Sequence, residues 1–239
     1  MSRLFLVRHA QASFLAADYD KLSPLGETQA RLLGEYWVRH QVIFDRVGCG
    51  PRIRQNHTSR LVADAFRAEG LPFPEPVVLQ EFDEYQGEAV LAISMPQLIR
   101  SSDEIRAMHR AFVEAPDSEA RTRAFQIMFQ TIITRWVAGQ IPVSGAESWA
   151  DFTARVNRGL ARFLSQGKRG EQIAIFCSGG PVSVSVGRAL NLSAPDTLRV
   201  AWMLRNCSFS EFLYSGERFS LSTLNELPHL QDASLVTYW

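Results

Sequence analysis

The sequence predicts an α/β fold: a three-layer α/β/α sandwich with a mostly parallel central sheet and an inserted helical cap. Three observations predict it. A continuous apolar run without polar alternation marks 3–7 as a strand buried on both faces, and 45–49 and 172–177 read as further strands. Each run is followed by a segment with helical spacing of its apolar residues, and strand–helix alternation builds a parallel sheet covered on both faces. Residues 88–138, by contrast, lack convincing strands and read as helices alone.

Taken in order, Leu4-Phe5-Leu6-Val7 is the heart of the first strand, over residues 3–7. Ser23 is the expected N-cap of a helix running through about Arg39, with Pro24 at the first helical position and Leu25, Ala30, Leu33, Tyr36 and Trp37 as its apolar stripe. Asp45–Cys49 is the second strand and breaks at Gly50-Pro51; residues 52–68 form the next helix. Val77–Leu79 is a short strand that runs into the acidic segment Glu81–Glu84. The cap covers approximately 88–144, its helices separated by Ser101-Ser102-Asp103 and Pro116-Asp117-Ser118. Glu147–Ser165 is a helix with Phe152, Val156, Leu160 and Phe163 on one face. Gln172–Cys177 is the clearest central strand, and Ser178-Gly179-Gly180-Pro181 turns it into a helix through Leu190. A helix at roughly 195–204 and a hairpin of Cys207–Tyr214 with Arg218–Asn225 follow. There are no internal repeats or linkers, so the chain, 1–239, reads as a single domain with the cap inserted.

Hydrophobic residues make up 46% of the chain and formal net charge is zero, which argues against disorder and against a broad field for nucleic acid or an anionic membrane. Any phosphate binding must therefore come from a local cluster. The three cysteines, Cys49, Cys177 and Cys207, are an odd number without C-x-x-C spacing, as for free thiols in a reducing compartment. The apolar run at the start is too short for a signal peptide, and no stretch approaches the ~20 apolar residues of a membrane span, so a cytoplasmic location is expected. The five histidines and three cysteines show no metal spacing, and no metal or cofactor is expected.

Ligands of open α/β sheets bind beyond the carboxyl ends of the strands. Here those ends carry Arg8-His9-Ala10, Gly50-Pro51-Arg52-Ile53-Arg54 and Cys177-Ser178-Gly179-Gly180. A histidine, two or three guanidiniums and a Gly-rich helix start at one sheet edge make an anion pocket. Rival motifs fail: a cysteine-phosphatase loop on Cys177 needs Arg where Ser183 stands, and a nucleophile elbow on Ser178 needs Gly where Phe176 stands.

Six ordered segments resemble the histidine phosphatase (phosphoglycerate-mutase-like) superfamily. Leu4–Ala10 resembles its first signature, which ends Arg-His-Gly. Leu22–Ala30 is similar to its Leu-Thr/Ser-x-x-Gly-x-x-Gln-Ala segment, Gly50–Thr58 to its Ser-Pro-Leu-x-Arg-Ala-x-Gln-Thr, and Leu79-Gln80-Glu81 to its Leu-x-Glu. Gly145–Val156 resembles its Gly-Glu-Ser helix. Ile173–Gly180 falls where its last motif ends in Ser-His-Gly-Gly.

The resemblance implies a phosphomonoester hydrolase acting through a phosphohistidine on His9, with Arg8 and Arg54 clamping the phosphoryl oxygens and Glu81 as the general acid; Asp83 and Glu84 lie close in register. Gln11, Ser13, His57 and Gly179 are expected to contact substrate. His57 follows Arg54 by three helical positions, which suits the pocket, although a surface position suits it as well. The expected partner is a small phosphomonoester or inorganic phosphate, with a homodimer left open.

Ser178 is the main departure, because most of the superfamily carries a second histidine there. Ala10 replaces a glycine, and Phe14 and Leu15 stand where the mutases and many phosphatases carry Trp-Asn; the loss of that polar substrate contact argues against a phosphomutase. Ser178 leaves two readings: a working substitute, or a weakly active or inactive phosphate-binding protein of the same fold.

Overall fold

The computed structural model describes residues 1–13 and 20–238. Their strands form one six-stranded sheet, β3-β2-β4-β1-β5-β6. β1 is Ser2–Arg8, β2 Arg46–Cys49, β3 Val77–Val78, β4 Gln172–Cys177, β5 Phe209–Ser215 and β6 Arg218–Glu226. The β1–β4, β4–β2 and β2–β3 pairings are parallel, and β1–β5 and β5–β6 antiparallel. The sheet is therefore mixed, parallel where the strands alternate with helices and antiparallel where the C-terminal hairpin adds to its edge.

Chain contacts divide the protein into two compact units, Met1–Glu84 with Thr153–Trp239, and Tyr85–Phe152. In the first, α1 (Pro24–Arg39) starts as its sequence dictates: the Ser23 hydroxyl accepts from the Gly26 N–H at 3.0 Å and Pro24 takes the first helical position. α1 and α2 (Ile53–Ala68) bury one face of the sheet through Leu33, Trp37, Leu61 and Phe66. Phe5 and Val7 of β1, Val47 of β2 and Phe176 of β4 meet them there. Trp37 and Phe44 meet edge to face at 4.9 Å between centroids, a favoured aromatic geometry. Period-two alternation sends Leu4, Leu6, Ile173 and Ile175 to the opposite face, and these too are fully buried. The burial of alternate residues on both faces is why β1 and β4 read as continuous apolar runs.

Register then gathers the carboxyl ends of three strands. Arg8 lies opposite Cys177, and Cys49 opposite Phe176. The ladder runs one step beyond each strand: the His9 N–H donates to the Cys177 carbonyl at 2.8 Å and the Gly50 N–H to the Phe176 carbonyl at 2.9 Å. His9, Gly50 and Ser178 are thereby aligned along one sheet edge.

The second unit contains α3 (Gly87–Ser101), α4 (Asp103–Val113) and α5 (Ser118–Val137), with Ser102 and Asp117 as side-chain N-caps. The breaks read from the sequence at 101–103 and 116–118 are these caps. Tyr85, Trp136, Trp149 and Phe152 form its aromatic cluster, with centroids 5.3 to 6.0 Å apart. α6 (Trp149–Ser165) returns the chain to the first unit, where α7 (Gly179–Leu190) and α8 (Ala194–Met203) complete the helical set. Among the described residues no helix is long and apolar enough to cross a membrane.

Candidate active site

His9 is 5% exposed, directly beyond β1. Arg54, on the first turn of α2, donates from Nε to His9 Nε2 at 3.0 Å. A guanidinium only donates, so Nε2 carries the ring's lone pair. The other nitrogen, Nδ1, lies 2.8 Å from the Ala10 carbonyl, which only accepts, so Nδ1 carries the proton. The two contacts together select the neutral tautomer with a basic Nε2. Burial, then the charges of Arg54 and Arg8, push the His9 pKa well below its ordinary value, so the ring stays neutral.

Neighbouring segments hold this arrangement. Thr58 accepts from the Ala10 N–H at 3.1 Å and donates to the Arg54 carbonyl at 2.7 Å, tying the turn after β1 to α2. Arg8 sends Nη1 to the Leu204 carbonyl at 2.5 Å, after α8. Asp20 accepts from Arg54 Nη1 at 2.7 Å through Oδ1 and from the Ile53 N–H at 2.8 Å through Oδ2.

Ser178 is fully buried at the N-cap of α7. Its hydroxyl oxygen accepts from Gln55 Nε2 at 2.8 Å. The Gln55 amide is itself fixed, because its Oε1 accepts from the Arg52 N–H at 3.0 Å. Gly50 leaves the space this amide fills; a Cβ there would collide with Gln55 Oε1 and the Phe82 carbonyl.

The expected acid, Glu81, does not join the cluster. It pairs with Arg162 of α6 at 2.9 Å, and its Cβ approaches so closely that residue 159 of that helix has to be glycine. Arg155 of α6 donates to the carbonyls of Glu81 at 2.9 Å and Asp83 at 3.1 Å, so a one-turn 3-10 helix, Gln80–Phe82, is pulled towards α6 with Glu81 on that side. Glu84 takes the position at the sheet edge: its Oε2 accepts from the Gly180 N–H at 3.2 Å, one residue past Gly179 at the start of α7. Arg52 also turns to this loop, pairing with Asp83 at 2.5 Å.

The expected substrate contacts divide. Gly179 lies at the start of α7, and a Cβ there would sit 3.8 Å from Arg8 Nε, which places it beside the cluster. His57 is half-buried on α2; burial lowers its pKa first, and of the charges acting on its ring Arg60 and Arg31 lower it while Glu27 and Asp64 raise it. Gln11 accepts from the Ser23 hydroxyl at 2.7 Å, and Ser13 bonds through its N–H to the Lys21 carbonyl at 2.8 Å; both tie to residues that lead into α1. Phe14 and Leu15 lie outside the described residues.

The cysteines offer no competing nucleophile. All three are free and buried. Burial raises each thiol pKa, to about 12 for Cys49, and Glu84 and Cys49 add to the rise at Cys177. Among the described residues no group of His, Cys, Asp and Glu could hold a metal ion.

The family model of the histidine phosphatase superfamily (branch 1) matches residues 99–227, just over half of the chain, and includes β4 and Ser178. Solved structures match nearly end to end. A mutant phosphoserine phosphatase from Entamoeba histolytica, in complex with phosphoserine, is 15% identical with a TM-score of 0.63, covering 96% of this chain and 100% of that one. A putative α-ribazole-5′-P phosphatase from Escherichia coli is 21% identical with a TM-score of 0.61, covering 95% and 98%. A mycobacterial glucosyl-3-phosphoglycerate phosphatase is 18% identical with a TM-score of 0.59, covering 93% and 98%. At these identities the likeness is one of fold. No curated protein matches the chain.

Proposed function

Because the chain belongs to the histidine phosphatase superfamily, we propose that it hydrolyses small phosphomonoesters through a phosphohistidine formed on His9 Nε2. One observation carries this reading: Arg54 Nε donates to His9 Nε2, so the nucleophilic lone pair and the cation that receives the phosphoryl oxygens already face each other. An incoming phosphoryl group takes over the Arg54 hydrogen bond and frees Nε2 to attack in line.

The N–P bond forms as the bond from phosphorus to the ester oxygen breaks. The departing alkoxide needs a proton. Glu84 is the donor in this reading, in place of Glu81, because Glu84 lies at the sheet edge and Glu81 is held by Arg162. The resulting carboxylate takes a proton from water, which attacks phosphorus, releases inorganic phosphate and restores neutral His9. Arg8, Arg54 and the Ser178 hydroxyl stabilise charge on the three equatorial oxygens. Ser178 suits this role because Gln55 occupies its acceptor side and leaves its O–H to donate.

The test is a panel of phosphomonoesters, including phosphoserine, α-ribazole 5′-phosphate and glucosyl-3-phosphoglycerate in view of the structural neighbours, with His9→Ala as control. Turnover with an acid-labile, base-stable phosphoryl adduct on His9 is expected. A wild-type protein that binds inorganic phosphate or vanadate tightly yet hydrolyses nothing on the panel overturns the hydrolase reading in favour of a binding protein.

A further inference from the structure

We propose that Asp20 is a built-in competitor for the phosphoryl group, one that must leave Arg54 before substrate binds and so sets the affinity of the site for phosphate. The inference rests on the reading of His9 and Arg54 as the phosphoryl-transfer pair. Asp20 uses both carboxylate oxygens: Oδ1 on Arg54 Nη1 at 2.7 Å and Oδ2 on the Ile53 N–H at 2.8 Å. A guanidinium beside the first N–H groups of a helix is the donor set that phosphoryl oxygens seek. One side chain of the protein thus fills the place of an anionic ligand.

The two partners differ in exposure. The Arg54 side chain is 6% exposed and that of Asp20 is 27% exposed. A buried guanidinium needs an anion at all times, because leaving a buried charge unpaired is costly. A carboxylate at the rim loses little on moving into water. Binding is therefore an exchange in which a phosphoryl oxygen replaces Asp20 and Arg54 is never left bare. The exchange leaves Lys21 and Leu22 in place, because the Ser13 N–H to Lys21 carbonyl bond and the Ala12–Leu22 bridge hold them. A dianionic monoester competes with a single carboxylate better than a monoanion does, so the contact also favours terminal phosphate over diesters.

Calorimetric titration with inorganic phosphate tests this on the full chain, comparing wild type with Asp20→Asn and Asp20→Ser, each checked by its melting temperature. Both variants are expected to bind phosphate at least about tenfold more tightly, as for removal of one partly buried charge competitor. Unchanged or weaker binding in Asp20→Asn at an unaltered melting temperature overturns the proposal and makes Asp20 a group that positions Arg54. The readout involves no turnover, so it stands even if the hydrolase reading falls.

Discussion

Gln55 Nε2 donates to Ser178 Oγ at 2.8 Å, and the Arg52 N–H holds the other end of the same amide. A hydroxyl that accepts from a fixed donor keeps its own hydrogen for another partner, so Gln55 orients Ser178 as a donor. Ser178→Ala is expected to lower kcat about 10- to 100-fold, the low end for loss of one oxyanion-type donor. Gln55→Leu should cost a similar factor, and the double variant no more than the larger single loss, because both act through one hydrogen bond. Additive losses, or a neutral Ser178→Ala, would remove Ser178 from the chemistry.

Glu84→Gln is expected to slow alkyl phosphates far more than aryl phosphates, whose leaving groups need little protonation. Glu81→Gln releases Arg162 without touching the sheet edge, and its effect should be uniform across leaving groups. The reverse pattern in a leaving-group series would return the acid role to Glu81.

The pH profile follows from His9. Burial is the largest cause of its low pKa, followed by Arg54 and Arg8, and an imidazole attacks only when neutral. The acid limb of kcat/KM assigned to His9 therefore lies well below 6.5. Arg54→Ala should cut kcat/KM by at least about 100-fold and raise the His9 pKa, moving that limb to higher pH. Burial remains, so the ordinary value is not regained. Imidazole NMR titration of the variant measures the shift, and an unmoved His9 resonance would refute the coupling.

Acid stability is expected to depend on His229. The ring is 4% exposed, and burial lowers its pKa to about 4. Between about 6.5 and 4 the unfolded imidazole binds a proton and the folded one does not, so stability falls as pH falls through that window. The full loss is about 3 kcal/mol. His229→Phe should flatten the slope in denaturant melts at pH 7 and pH 4.5, leaving the part due to His9. An unchanged slope would mean that His229 is not buried in its neutral form.

Gln172–Cys177 was legible to the residue because both faces of β4 are apolar and a turn bounds each end. The helix read from Glu147 begins at Trp149. His9, Arg8, Arg54 and Ser178 were legible because strand ends and a helix start fix where they lie. Glu84 was less so: motif register counts residues, whereas a single 3-10 turn pulled by Arg155 decides which carboxylate points where. Asp20 and Gln55 left no local signal. Each acts through a partner distant in sequence, 34 and 123 residues away.

The place of β1 in the sheet has a consequence for how the chain folds. Its hydrogen-bonding partners are β4, Gln172–Cys177, and β5, Phe209–Ser215. During synthesis the strand that carries His9 emerges before both and waits for them. A ribosome-bound chain stalled after α5 exposes Leu4-Phe5-Leu6-Val7 as an unpaired apolar edge, a state that invites aggregation and chaperone capture. Such long-range closure also makes folding slow. His9 precedes both strands that flank it in the sheet, so the surroundings described for it are assembled only when the hairpin of β5 and β6 docks.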